Sequence, residues 1–223
     1  MARLEGKRVV VVTAHEFEDV EVIYPVLRLS EEGAAITVAT LPKAAFAHFH
    51  ARSYHPDKPI TGRFGTTVPF VALEEGLRWR HVETNDLRVG DYDALVVPGG
   101  FAPDFLRVDA TTLRFVADMH RAGKWVTAIC HGPQLLISTD AVEGTDIVRG
   151  RKVACVEMVR DDLKNAGGQF TDAAAVIDGN VITSRCPDDL PEYCLAIADA
   201  LTEGVQEGIY QRHARPRERV AVA

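Results

Sequence analysis

Three short apolar runs constrain this chain more than any other feature. Each runs straight into a polar or glycine-bearing loop: Lys7–Thr13 (KRVVVVT) before HEFED, Asp93–Val97 (DALVV) before PGGFAPD, and Trp125–Ile129 (WVTAI) before CHG. Apolar runs of this length without alternation predict strands covered on both faces, as in a parallel sheet with helices on each side. In such sheets the working loops gather at the carboxyl ends of the strands. The topology therefore brings Glu18, Gly99-Gly100 and Cys130-His131 to one edge, although they lie far apart in the chain.

The segments between the runs fit that frame. Glu18 to Glu32 reads as a helix with Val20, Ile23, Tyr24 and Leu27 as its apolar stripe and Gly33 as its stop. Pro25 falls inside it and is expected to bend it or shift its start. Ala35–Thr40 follows as a strand, which makes a right-handed parallel βαβ unit. Asp104–Ala122 predicts a helix with Phe105, Leu113, Val116 and Met119 inward. Beyond CHG come a helix, a strand over Arg151–Val156, a helix over Val159–Asn165, strands near Ala173–Ile177 and Asn180–Ser184, and a helix over Pro187–Glu203.

Two excursions break the rhythm. Leu41–Pro59, with His48, His50 and His55, reads as an inserted surface lid, since no carboxylate or cysteine stands at metal-ligand spacing. Thr61–Leu73 suggests a hairpin, and Glu74–Arg88 a loop or short helix. Gln211–Ala223, with Arg212, Arg215, Arg217 and Arg219, reads as a mobile tail or an oligomer contact. The expectation is one α/β domain over residues 1–223, with insertions about 42–59 and 74–85 and a tail over 205–223.

Composition excludes some functions. A net charge of -7 argues against nucleic acid or an anionic membrane as partner. The first apolar run is too short for a signal peptide or a membrane span, so a cytoplasmic location is expected. Cys130, Cys155, Cys186 and Cys194 form no C-x-x-C pair and no zinc spacing, and they read as free thiols in a reducing compartment.

Only Cys130 has a histidine beside it. KWVTAICHGPQLLI predicts strand, tight turn and helix, with the thiol at the junction near unpaired backbone N–H groups. Those conditions lower a thiol pKa and suit a nucleophile; the plainer alternative is a small buried hydrophobe. A nucleophilic thiol needs a proton acceptor and donors for the oxyanion it creates. The N–H of His131 and an N–H of Gly99 or Gly100 are natural donors, although the glycine pair reads equally as a simple turn. His131 is a candidate base if another group orients it. Glu18 is either a proton relay on the sulfur or a carboxylate satisfying the helix start.

EFEDVEVIYPVLRLSEEG, DALVVPGGFAPD, AICHGPQLLIS, RDDLKNAG and DGNVITSRCPDDLP, in that order, resemble the PfpI-type intracellular peptidases of the ThiJ/PfpI superfamily over most of residues 7 to 203. The resemblance implies a flavodoxin-like three-layer sandwich of the class I glutamine amidotransferase type, with Cys130 as nucleophile and His131 beside it. It matches Glu18 to the family's buried glutamate on the sulfur. It matches Asp104 to an acid that comes from a neighbouring subunit to orient the histidine, and so implies a homo-oligomer with the site near the interface. Relatives carry a longer glutamate at the position of Asp104, and a pocket tyrosine where this chain has Val156.

Three functions follow as expectations. The first is a cysteine enzyme with no cofactor and no metal that acts on a small carbonyl compound, by glyoxalase III, deglycase or related hydratase or lyase chemistry. The second is peptide or amide hydrolysis on the same residues. The third is a stress protein whose cysteine senses oxidants without turnover.

Overall fold

A computed structural model of the chain describes residues 2–42, 44–45, 59–68 and 79–211. His48, His50, His55, most of the expected lid and the four tail arginines lie outside these residues.

The strands, in chain order, are β1 (Arg8–Thr13), β2 (Ala35–Thr40), β3 (Ile60–Thr61), β4 (Thr67–Val68), β5 (Trp79–Glu83), β6 (Ala94–Val97), β7 (Trp125–Ile129), β8 (Lys152–Val153), β9 (Gln169–Phe170), β10 (Ala175–Asp178), β11 (Val181–Ser184) and β12 (Glu207–Tyr210). Among the described residues the α-helices are α1 (Asp19–Glu31), α2 (Ala102–Leu106), α3 (Ala110–Arg121), α4 (Pro133–Glu143), α5 (Arg160–Asn165) and α6 (Leu190–Glu203). Eight strands form the central sheet in the order β12-β10-β11-β7-β6-β1-β2-β5. All neighbours pair in parallel except β10, which runs antiparallel to β11 and β12. Val9–Val12 of β1 and Ala94–Val97 of β6 are fully buried, as runs covered from both faces must be.

α1 packs against α6, while α3 and α4 meet each other and are joined by α2 and α5 through α4. This is the flavodoxin-like arrangement, with helices on both faces of a mostly parallel sheet. Among the described residues no helix is long and apolar enough to cross a membrane.

Three expectations are corrected here. Residues 79–83, read as loop or short helix, form edge strand β5 beside β2; the polar residues that argued against a strand suit an edge with little cover. The stretch expected as one helix from Asp104 is two, α2 and α3, broken where Asp109 caps α3 by accepting the Thr112 N–H. The third correction matters most. The buried face of α1 carries Val22, Pro25, Val26 and Leu29, whereas Val20 and Leu27 are exposed. The helix is thus rotated from the stripe read in sequence, and Glu21 turns inward with no exposure at all.

The chain reverses direction of growth between β1 and β6, the switch point of the sheet. The loops after β1, β6 and β7 open there side by side.

Candidate active site

β7 ends at Ile129 and the chain bends sharply at Cys130, whose φ of 62° lies in the left-handed region. The bend is held from both sides. The Cys130 N–H donates to the Ser184 carbonyl at 3.1 Å, and the Cys130 carbonyl accepts the Val156 N–H at 3.1 Å. Gly132 closes the turn by donating to the Ile129 carbonyl at 2.8 Å, and a Cβ there would stand 2.5 Å from the Val97 oxygen. Only glycine lets β6 and the turn approach so closely. Adjacent Pro133 opens α4.

The backbone N–H groups of His131 and Gly100 lie close enough to the sulfur to pull its pKa down. The Gly99 N–H is committed elsewhere, to Glu21 Oε2 at 2.6 Å. Gly99 thus fixes a carboxyl group, while the N–H groups of Gly100 and His131 act on the thiol. A Cβ on Gly99 would fall 2.7 Å from Cys130 Cβ and 2.8 Å from both Glu21 Oε2 and the His131 nitrogen. Thiol, carboxyl and oxyanion donor converge on that one glycine.

The carboxyl at the sulfur belongs to Glu21, not to Glu18. Glu18 stands just outside α1 as its N-cap residue and points to the mouth of the site, where Oε2 pairs with Arg63 Nη1 at 3.2 Å. Glu21, one turn into the helix, faces the sheet. Its Oε1 is buried without a hydrogen-bond partner among the described residues. Burial raises the Glu21 carboxyl to about 7, opposed by the Gly99 N–H and the Cys130 thiol. Burial, followed by the charge of Glu21, pushes the Cys130 thiol well above its ordinary value against the pull of the His131 and Gly100 N–H groups. The expected low-pKa thiol is thus corrected: desolvation outweighs the two backbone donors. The thiol therefore keeps its proton near neutrality, and the Glu21 carboxyl beside it holds its proton to a higher pH than an ordinary carboxylate does.

His131 follows directly and its ring lies 6.4 Å from that of Phe101. Burial lowers the imidazole pKa, Asp104 opposes this, and Arg63 adds to it. Asp104, in the first turn of α2, acts on His131 through its charge; no hydrogen bond joins the two among the described residues.

One wall was not foreseen. The β3–β4 hairpin docks on the loop after β1 through main-chain bonds: Glu16 N–H to Thr61 O at 2.8 Å and Arg63 N–H to Phe17 O at 3.0 Å. Asp19 adds two more, accepting the N–H groups of Phe64 at 2.9 Å and Thr66 at 2.8 Å. Arg63 sits at the tip, its guanidinium 5.7 Å from the ring centre of Phe64 and 5.3 Å from that of Phe101. The glycines flanking Arg63 and Phe64 signalled a turn in sequence; nothing local signalled where the turn docks. On the other side of the elbow, a cavity of about 560 Å³ is lined by Cys155, Val156, Arg160, Phe170, Arg185 and Cys186, among others.

The DJ-1/PfpI family pattern matches residues 7–200, nearly the whole sheet and all three site loops. The chain belongs to the DJ-1/PfpI family. It is 35% identical over 183 residues to the protein named deglycase PfpI of Pyrococcus furiosus, covering 82% of this chain and 92% of that one. It is 36% identical over 189 residues to protein/nucleic acid deglycase 2 of Escherichia coli, covering 84% and 94%. Among solved structures, a two-domain Anabaena variabilis protein with DJ-1/ThiJ/PfpI-like and ferritin-like domains matches with a TM-score of 0.67 and 28% identity, over 96% of this chain and 55% of that one. Drosophila melanogaster DJ-1beta shares the fold with a TM-score of 0.68 at 22% identity, over 88% and 90%.

Proposed function

We propose that this chain is a cysteine-dependent enzyme acting on a small carbonyl compound, in a reaction of the glyoxalase III or deglycase type. The observation that carries the reading is the meeting of the Cys130 sulfur with two backbone donors and with a buried carboxyl titrating at about 7. Relatives named deglycase support it.

With a 2-oxoaldehyde, the Cys130 sulfur adds to the aldehyde carbon as its proton passes to Glu21. The oxyanion formed is held by the N–H groups of Gly100 and His131 and then takes the proton back, giving a hemithioacetal. Removal of the C–H proton by Glu21 or His131 and its return to the neighbouring carbon convert this to a thioester of a 2-hydroxy acid. Water then releases the hydroxy acid and restores the thiol. Oxidation at one carbon balances reduction at the next, so the sequence needs no external electron acceptor. A carboxyl poised near neutral pH suits both halves of such a proton shuttle.

This reading places the enzyme in the cytoplasm, where its free thiols stay reduced. It also has the chain work as a homo-oligomer, with Asp104 of a neighbouring copy orienting His131. A second reading, amide hydrolysis through an acyl-enzyme on the same residues, is favoured by the cavity beside Val156, which offers room for a peptide side chain.

The test is turnover of methylglyoxal and of a labelled peptide by wild type, Cys130→Ala and Glu21→Gln. Loss of methylglyoxal turnover in both variants supports the first reading, and selective peptide cleavage by wild type supports the second. Identical behaviour of all three proteins on both substrates would leave a redox-sensing thiol as the function.

A further inference from the structure

We infer that Arg63 forms an anion-reading subsite at the mouth of the Cys130 site, and that the favoured carbonyl substrate carries a carboxylate. The inference deepens the functional reading above and rests on it for the word substrate.

The hairpin tip is a fixed wall. Main-chain bonds tie Thr61 and Arg63 to Glu16 and Phe17, and the two oxygens of buried Asp19 hold Phe64 and Thr66. Gly62 packs so closely on Asp19 that a Cβ there would lie 2.6 Å from its carboxylate. A cation carried on such a segment is preorganised for recognition.

Among the described residues the guanidinium is also largely unspent. Arginine carries five N–H donors in a planar fork suited to bidentate carboxylate binding. Among the described residues Arg63 uses one nitrogen, Nη1, on Glu18 Oε2 at 3.2 Å, and the aromatic rings of Phe64 and Phe101 lie within 6 Å of its Cζ. Phe101 in turn neighbours the His131 ring at 6.4 Å. Arg63 therefore stands one side chain away from the catalytic histidine, and its positive charge acts on both Glu21 and His131. Phe64 is 75% and Phe101 51% exposed, so apolar surface open to solvent lies beside the guanidinium. Glu18 anchors the cation at the mouth, while burial raises the pKa of the carboxyl deeper in the site, Glu21, so that it repels an anion less than an ordinary carboxylate would.

The test compares reagents that differ only in charge. Alkylation of Cys130 by iodoacetate and by iodoacetamide, and by a maleimide with a propionate arm and by N-ethylmaleimide, is followed at Cys130 by peptide mass mapping. The acid-to-neutral rate ratio cancels any change in thiolate fraction, and it requires no turnover. In Arg63→Ala and Arg63→Gln at least one ratio is expected to fall threefold or more; in Arg63→Lys, which keeps the charge and loses the fork, the fall is smaller. Ratios that stay within threefold of wild type for both reagent pairs in both variants would overturn the inference. Wild-type protein supplies a check free of folding effects: short carboxylic acids should slow iodoacetamide labelling of Cys130 more than their amides do, and equal protection counts against the subsite. Because labelling is separate from catalysis, a protein that turns over no carbonyl compound but shows the ratio effect defeats the functional reading and leaves the subsite standing.

Discussion

Glu21 Oε2 accepts the Gly99 N–H at 2.6 Å, so the amide next to Gly100 holds a buried carboxyl in place. One glycine pair thereby performs two tasks: Gly99 orients the acid and Gly100 faces the sulfur. The division makes the role of Glu21 open to direct measurement.

Replacing Glu21 by Gln keeps an oxygen for the Gly99 N–H and removes the transferable proton. Turnover is expected to fall about 10²- to 10⁴-fold, the range for a lost general acid–base, with circular dichroism unchanged. A loss below tenfold would remove Glu21 from the proton shuttle.

Labelling of the thiol against pH reports on the same pair. Wild-type Cys130 should alkylate with a midpoint above the free-thiol value of about 8.5, because burial and then the Glu21 charge disfavour the thiolate. Glu21→Gln removes that charge, so its midpoint should move down. An upward move would mean that the carboxylate favours the thiolate.

Stability carries the sign of the Glu21 shift. The folded state binds the Glu21 proton more tightly than the unfolded chain, with a pKa of about 7 against an ordinary value of 4.5. Protonation therefore favours folding, and this contribution is fully present below pH 4.5 and lost as pH rises through 7. The loss is on the order of 3 kcal/mol. Melting temperatures of wild type minus those of Glu21→Gln should decline across that window; a flat difference would show that Glu21 titrates normally.

Gly99→Ala would place a methyl group against Cys130, Glu21 and the His131 nitrogen at under 3 Å. Displacement of the reacting groups by a few tenths of an ångström to 1 Å is expected to lower kcat/KM by about tenfold to a hundredfold. The same change on the surface at Gly90, which has open space around it, serves as the control.

Asp19 ties the hairpin to α1 through two N–H acceptor bonds. Asp19→Ala should cost about 2 kcal/mol, since two backbone donors lose their partner. Proteolysis within residues 61–68 should rise with it. Unchanged stability and unchanged proteolysis would show that the main-chain bonds to Glu16 and Phe17 suffice alone.

The sheet was legible because fully buried strands leave continuous runs such as Arg8–Thr13 and Ala94–Val97, which few other structures require. Cys130 was legible for the same reason: the run stops where the sulfur begins. Glu21 was missed because the stripe of α1 was phased through Val20 and Leu27, both exposed. Val22, Val26 and Leu29 form an equally good stripe, and only tertiary packing chooses between the two. Once the phase is wrong, the inward carboxylate of Glu21 looks solvated and the cap residue Glu18 looks central. Arg63 escaped notice for a different reason. A two-residue strand pair has almost no sequence signal, and its docking depends on Asp19, some forty positions away.

The backbone of Cys130 lies at φ 62°, a conformation that costs a non-glycine residue about 1–2 kcal/mol. Glycine would occupy it without that penalty. The chain therefore keeps its sulfur against a standing preference of its own scaffold. A lineage that ceased to need the chemistry would relieve that backbone strain by Cys130→Gly, at the cost of the core contacts the buried side chain makes. In this architecture, reactivity is easier to discard than shape, and silent descendants with an intact sheet are a natural by-product of the bend that makes the thiol useful.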